Sequence, residues 1–490
     1  MLTLFLLLPV TGAVLSLLLP REREHEARWI ALLFSTVAFA VSVVVFVRFD
    51  SGVAGYQFVD HFEWINPGQA GFDVSYTLGV DGLSAPLLLL LGLLSVVSVL
   101  VSFSIETRIK EYFAWLLLLE TAVAGVFLSL DLIQFFLFWE LELLPMYMLI
   151  SIWGTGRNRY SAMKFLIFTL SGSAFMLVGF LVLGLEGGTF SIEELAAAPP
   201  EDALVPLGLL FWAIMLAFLV KLPVFPLHTW LPDAHTDAPT AVSVMLAGVL
   251  LKMGGYGILR IALPIFPEAA HDSRVVLAAL AGFSVIYGAI ITLQQRDLKR
   301  LVAYSSVSHM GYVLLGVSAL GAVGLSGAAL QMFTHGTITG LLFVMVGLVY
   351  ERTHTRQISE MTGLMHHMPV IGTVMLVAGL ASLGLPGLSG FVAELTTFLG
   401  SFDAHPAATI ASIFGVVLAA GYILWTIERV FHGPADERWA QLPDANRWWE
   451  HTAMAALVIA IVAVGIFPQL LTEQIEAGIE PIARIFEASA

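Results

Sequence analysis

Residues Lys221–Thr240 read KLPVFPLHTWLPDAHTDAPT, directly after the apolar run PLGLLFWAIMLAFLV at 206–220. The apolar run has the length and composition of a membrane helix, and the helix meets Lys221, Pro223 and Pro226 before it can finish. A lysine at that depth costs about 2.5–3.5 kcal/mol on insertion scales. Each proline removes a backbone donor and clashes with the carbonyl one turn back. A charge beside an interrupted helix inside a membrane segment marks a functional site.

The rest of the chain provides the membrane setting. Of 490 residues, 58% are hydrophobic and 12% charged, against roughly 25% charged in soluble domains. About fourteen apolar segments of spanning length lie near 2–20, 28–48, 82–104, 112–130, 132–153, 160–185, 205–227, 239–262, 275–294, 298–320, 325–350, 369–400, 407–431 and 451–471. The fold class is an all-α polytopic membrane protein; the alternating short strands of a barrel are missing from the sequence. The loop from Tyr56 to Asp81 has room for a short hairpin, and the end, TEQIEAGIEPIARIFEASA, reads as an amphipathic surface helix. The N-terminal run lacks a basic leader and reads as a retained first helix.

The formal charge is −15, from 22 basic and 37 acidic residues, without a basic tract that would suit nucleic acid. The acidic excess reads as a solvated face. With 0 Cys, thiolate metal sites and cysteine-held iron–sulfur clusters are excluded. Basic residues gather in alternate connections: Arg21, Arg23 and Arg28; Arg108 and Lys110; Arg157 and Arg159; Arg296, Lys299 and Arg300; Arg352 and Arg356; Arg429, Arg438 and Arg447. By the positive-inside rule that set is cytoplasmic, and an even helix count puts both termini outside the cell membrane. The connection after the seventh segment falls on the same side without any Lys or Arg, so another reason keeps HTWLPDAHTDAP there.

An internal repeat runs through the chain. Asp131-Leu132 recurs as Asp297-Leu298 after 166 residues, Phe168-Thr169 as Phe333-Thr334 after 165, Leu222-Pro223 as Leu385-Pro386 after 163, and Gly255-Tyr256 as Gly421-Tyr422 after 166. Each unit holds five helices, an odd number, so the second copy is inverted across the membrane. Inverted repeats with one interrupted helix each are built into many transporters. The expected divisions are residues 1–111, the two repeats 112–262 and 263–432, and 433–490 with the last helix and tail. The second interrupted helix is LGLPGLSGFVAELTTF, with Pro386, three glycines and Glu394.

Four ionisable residues stand inside the membrane: Glu140 in FFLFWELELLPMYML, Lys221 at the first break, Lys252 in MLAGVLLKMGGYGILR, and Glu394 at the second break. His228, His309 and His335 add groups that titrate near neutral pH. A row of carboxylate, amine, amine and carboxylate passes protons when a moving partner changes what an amine holds. Around Lys252, Gly254, Gly255 and Gly257 allow close packing and hydration. Other polar residues have plainer readings. Glu142, two residues from Glu140, faces elsewhere and hydrogen-bonds a neighbouring helix; Lys164 snorkels to the interface; Glu120 is either a secondary titrating group or a structural partner; Tyr304 anchors packing. His309 and His335 on adjacent helices are also a possible haem pair, but Ser305, Ser306 and Ser308 make that face polar and wet. His228, Asp233 and His235 are placed to load protons, or to cap and turn the chain.

The quoted motifs, with DLKRLVAYSSVSHMGYVLLG (297–316) and YERTHTR (350–356), resemble the antiporter-like M-type subunits of respiratory complex I over nearly the whole chain. The resemblance implies fourteen helices, broken seventh and twelfth helices, and a proton relay without redox centres. NADH, FMN, iron–sulfur clusters and quinone would then be handled on partner subunits, with L- and N-type antiporter-like neighbours in the plasma membrane. It implies that Glu140 pairs with Lys221, that Lys252 connects, that His309 and His335 lie on the axis, and that Glu394 ends the second half-channel. The related D-type subunits of multisubunit sodium/proton antiporters typically carry lysine where this chain has Glu394. A chain of that D type is the alternative reading.

Overall fold

The computed structural model describes residues 1–53, 55–65, 73–200 and 204–487. Residues 66–72 of the expected hairpin loop and the last three residues of the tail lie outside the described residues. Among the described residues eleven helices are long and apolar enough to cross a membrane, and three shorter apolar ones join them at Leu2–Leu18, Leu207–Lys221 and Pro369–Ser382. In chain order the helices are α1 (Leu2–Leu18), α2 (Ala27–Arg48), α3 (Ser84–Val101), α4 (Ile109–Leu128), α5 (Leu132–Leu141), α6 (Leu143–Trp153), α7 (Asn158–Gly187), α8 (Ile192–Ala197), α9 (Leu207–Lys221), α10 (Trp230–Asp237), α11 (Thr240–Met245), α12 (Leu251–Gly257), α13 (Leu263–Ile265), α14 (Pro267–Leu293), α15 (Leu298–Ser318), α16 (Ala322–Thr353), α17 (Pro369–Ser382), α18 (Ser389–Phe402), α19 (Pro406–Ile427), α20 (Trp448–Ile466) and α21 (Gln469–Glu487). A two-stranded antiparallel hairpin, β1 (Gln57–Ile65) and β2 (Val74–Val80), fills the loop before α3.

The hairpin, α8 and α21 share one face, called here the hairpin face; the arginine-bearing turns share the other, the basic face. The Met1 amine meets Asp60 of β1 at 3.1 Å. The backbone N–H groups of Ser75 and Thr77 donate to Asp131 Oδ2 and Gln134 Oε1. The amphipathic α21 buries Leu471, Ile475, Ile479 and Ile482 and turns Glu473, Glu476 and Glu480 outward. Apolar side chains such as Leu33, Ile167, Phe175, Phe414 and Val417 stay exposed around the belt, as a lipid-facing surface requires.

The inverted repeat is visible in matching devices on opposite faces. Asp131 caps α5 by accepting from Ile133 and Gln134 N–H, and Asp297 caps α15 by accepting from Lys299 and Arg300 N–H. Asp131 pairs as an isolated antiparallel bridge with Ser191, and Asp297 with Gln357. The first bridge lies on the hairpin face and the second on the basic face.

Both broken helices are built alike, with a different register from the one the dipeptides give. At the first break Leu222 N–H bonds to Phe218 O, Val224 N–H to Leu219 O and Leu227 N–H to Val224 O; at the second, Leu383 N–H bonds to Gly379 O, Leu385 N–H to Leu380 O and Leu388 N–H to Leu385 O. The equivalent residues are therefore 161 apart, not the 163 that separates the two Leu-Pro pairs. Lys221 corresponds to Ser382, and Pro223 and Pro226 correspond to Gly384 and Gly387, which have φ +78° and +92°. Proline opens the first helix by removing donors; left-handed glycine opens the second by turning the chain. At the first break the Trp230 indole N–H donates to the Val220 carbonyl at 3.0 Å, so the gap leaves that acceptor satisfied.

Helix α12 packs against this break through Gly254, where an added Cβ would sit 2.6 Å from Phe218 O and 2.7 Å from Leu222 N. Backbone cannot give way as a side chain can. Gly254→Ala is expected to cost about 1–3 kcal/mol and lower the thermal midpoint in detergent. Gly208→Ala, whose Cβ would meet nothing within 4 Å, leaves the midpoint unchanged or slightly raised.

Candidate functional site

Lys221 ends α9 and is 1% exposed; its ammonium forms an ion pair with Glu142, which is wholly buried. Glu140 does not hold this lysine, contrary to the expectation from resemblance. The reason is local. Pro145 lacks the N–H that would reach Leu141 O and crowds that carbonyl, so the helix is interrupted between α5 and α6 at Glu142. Glu142, not Glu140, meets the end of α9. Glu140 is half-buried and faces Ser173 of α7, within Coulombic range of Lys221. Lys221 Nζ also lies 5.3 Å from the ring centres of both Trp139 and Phe165, close enough for favourable cation–π contact.

A second group forms a connected row. Lys252 is fully buried between two π-helical turns, Leu246–Leu250 and Ile258–Ala262. In the first of these Leu251 N–H reaches back to Leu246 O instead of the α-helical Ala247 O, and the Ala247 carbonyl accepts from Lys252 Nζ. Widened turns of this kind occur often at functional sites. Lys252 Nζ lies 2.7 Å from His335 Nδ1. The His335 and His309 rings are 5.8 Å apart, and His309 Nδ1 lies 3.5 Å from Glu394 Oε1. His309 Nε2 faces Ser382 Oγ at 3.3 Å and Tyr422 Oη at 3.5 Å. A cavity of about 10 Å³ opens among His309, His335, Ser382 and Glu394, room for about one water. The Glu394 carboxylate reaches back over the second break, where a Cβ at Gly384 would lie 2.5 Å from its Oε2.

Among the described residues no hydrogen bond or ion pair joins the Glu142–Lys221 pair to the Lys252–His335–His309–Glu394 row. His228 is buried on the first break, stacked on Phe225 and edge-on to Tyr287, with an unpartnered Nδ1. His235 stacks on Phe343 at 4.6 Å, and neither ring nitrogen has a hydrogen-bond partner. Glu120 is buried facing Ser35 and Ser95.

The basic face explains why the connection after α9, which contains α10, lacks basic residues of its own. Other elements supply them. Lys164 pairs with Asp233 at 2.7 Å and Arg300 approaches the same carboxylate at 3.6 Å. Lys299 donates to Ala238 O and Arg356 to Thr236 O. Lys164 therefore makes a specific ion pair instead of snorkelling. Lys299, which composition places in a solvated connection, is buried. Sequence reasoning missed Lys299, Ser382 and the partner role of Glu142. The signal for Glu142 was Pro145 three residues on.

These features define a class: a polytopic helical membrane protein of two inverted repeats, each with an interrupted helix beside buried ionisable side chains. Residues 129–419 match the family described as NADH:quinone oxidoreductase/Mrp antiporter, TM. The chain is 42% identical over 494 residues to NAD(P)H-quinone oxidoreductase chain 4 2 of Thermosynechococcus vestitus, covering 99% of this chain and 92% of that protein. It is 38% identical over 503 residues to NADH-quinone oxidoreductase subunit M of Rhodobacter capsulatus, covering 100% and 97%. A chain in the structure of respiratory complex I from Thermus thermophilus with bound NADH superposes with a TM-score of 0.90 at 30% identity, covering 99% of this chain and 100% of that one. A chain of the Mrp complex from Dietzia sp. shares the fold at 23% identity and a TM-score of 0.83, covering 99% and 98%. The chain belongs to the NADH:quinone oxidoreductase/Mrp antiporter transmembrane family.

Removing one member of a buried ion pair strands the other charge, at about 3–5 kcal/mol. Glu142→Gln should therefore lower the thermal midpoint of the purified protein clearly, and Glu140→Gln only slightly. Equal effects would return Glu140 to the pair.

Proposed function

We propose that this chain is a proton-translocating membrane-arm subunit of an NADH:quinone oxidoreductase. The observation that carries this reading is the buried row Lys252–His335, His309–Glu394, with the two histidine rings 5.8 Å apart, in the same bundle as the ion-paired Lys221. In the proposal the basic face is cytoplasmic, both termini are outside, and the three shorter apolar helices complete fourteen crossings. The two repeats occupy 112–262 and 263–432. Electrostatic change enters from an adjacent antiporter-like subunit of L or N type and draws Lys221 from Glu142 toward Glu140. Protons enter from the cytoplasmic side past His228, and the released Lys221 passes its proton to Lys252. The histidines carry it on to Glu394. Flavin, iron–sulfur clusters and quinone chemistry belong to partner subunits, and this chain moves protons without redox chemistry of its own.

The test is donor-driven acidification in everted vesicles of the plasma membrane. Lys221→Ala and His335→Ala should each abolish proton uptake, while native gels show the complex assembled. Normal uptake in these variants would sink the proposal. Proton fluxes that require sodium and persist without any dehydrogenase would assign the chain to the antiporter D-type instead.

A further inference from the structure

Arg260 lies outside the relay and is more enclosed than its place near a helix end implies. It follows Lys252 by eight residues on the same helix, about 12 Å along the axis toward the hairpin face. It is 7% exposed, and its guanidinium makes one ion pair and two hydrogen bonds. Nη2 meets Asp81 Oδ2 at 2.5 Å, Nη1 donates to Tyr56 Oη at 2.9 Å, and Nε to Tyr256 Oη at 3.3 Å. Both tyrosine rings lie beneath the cation, at 5.2 and 5.5 Å. The anchors are themselves fixed. Asp81 Oδ1 caps α3 by accepting from Leu83 and Ser84 N–H, and Tyr256 donates to Phe127 O on α4.

What lies on either side of Arg260 differs. Outside it a cavity of about 310 Å³, walled by Phe49, Tyr56, Glu193 and Ile482, ends on Asp81 and Arg260. Inside it the wholly buried Tyr256, about one helical turn from Lys252 on the same helix, packs edge-on against Phe127 at 5.4 Å. That cavity thus ends about two helical turns from the relay lysine, on a cation that cannot give up its proton. A fixed arginine in such a constriction repels protons electrostatically.

We propose that Arg260, clamped by Asp81, Tyr56 and Tyr256, is the barrier that closes the hairpin-face end of the first repeat. A proton on Lys252 cannot leave through the nearby cavity and must cross to His335 and Glu394. The inference rests on Lys252 carrying protons, as proposed above.

The experiment measures passive proton flux in liposomes that contain the whole complex, under an imposed potassium–valinomycin potential and without electron donor. Arg260→Met should raise the flux clearly above wild type, because it removes the fixed cation and the side chain that close the constriction. Arg260→Lys should stay tight. Adding Lys252→Met to Arg260→Met should remove the leak. Wild-type flux in assembled Arg260→Met complex overturns the barrier, and so does a leak that ignores Lys252. If the single variant does not assemble, the charge-balanced pair Arg260→Gln with Asp81→Asn gives the same reading: a leak supports the barrier and a tight membrane overturns it. Donor-driven pumping is a separate measurement, so failure of the pump reading would appear there and not here.

Discussion

A lysine charge buried in a membrane protein has to be answered by a nearby anion, and the answer here is Glu142. The pair requires two interrupted helices to meet. Helix α9 stops at Lys221 because Pro223 follows, and α5 stops at Leu141 because Pro145 follows. A buried pair of this kind gains little over an apolar contact and is costly to split.

The two halves of the molecule solve the same problem with different chemistry. Both breaks have the same hydrogen-bond pattern, yet the first is made with prolines and the second with left-handed glycines. Where the first carries Lys221, the second carries Ser382, and the ionic contact passes to His309 and Glu394 one helix layer away. The hydroxyl of Ser382 turns toward the His309 ring. Lys252 of the first half joins His335, His309 and Glu394 of the second in one row across the central helices α15 and α16, while Lys221 and Glu142 form a separate pair.

The HTWLPDAHTDAPT connection ties these parts to the basic face. Trp230 satisfies the carbonyl that the break exposes, Asp233 gathers Lys164 and Arg300, and the carbonyls of Thr236 and Ala238 take Arg356 and Lys299. Cations from both repeats thus converge on one short segment. A basic residue within the segment would repel them, which accounts for the missing Lys and Arg where the orientation rule leads one to expect them.

Much of this was legible in the residues. Length and apolarity settle the membrane class, because hydrocarbon leaves helices as the only plan consistent with these runs. The breaks follow from Pro223, Pro226 and the Gly384–Gly387 pair, since backbone sterics act locally. The inverted repeat follows from recurring dipeptides and an odd helix count. Other features depended on the tertiary structure. The choice of Glu142 over Glu140 depends on which carboxylate meets a helix some 80 residues away in sequence. The true register of the breaks depends on which carbonyls accept, which the dipeptides misstate by two residues. The burial of Lys299 and the clamp on Arg260 depend on packing between distant elements. Sequence patterns report what each segment does to its own backbone; which side chains meet is decided by the space the assembled helices leave.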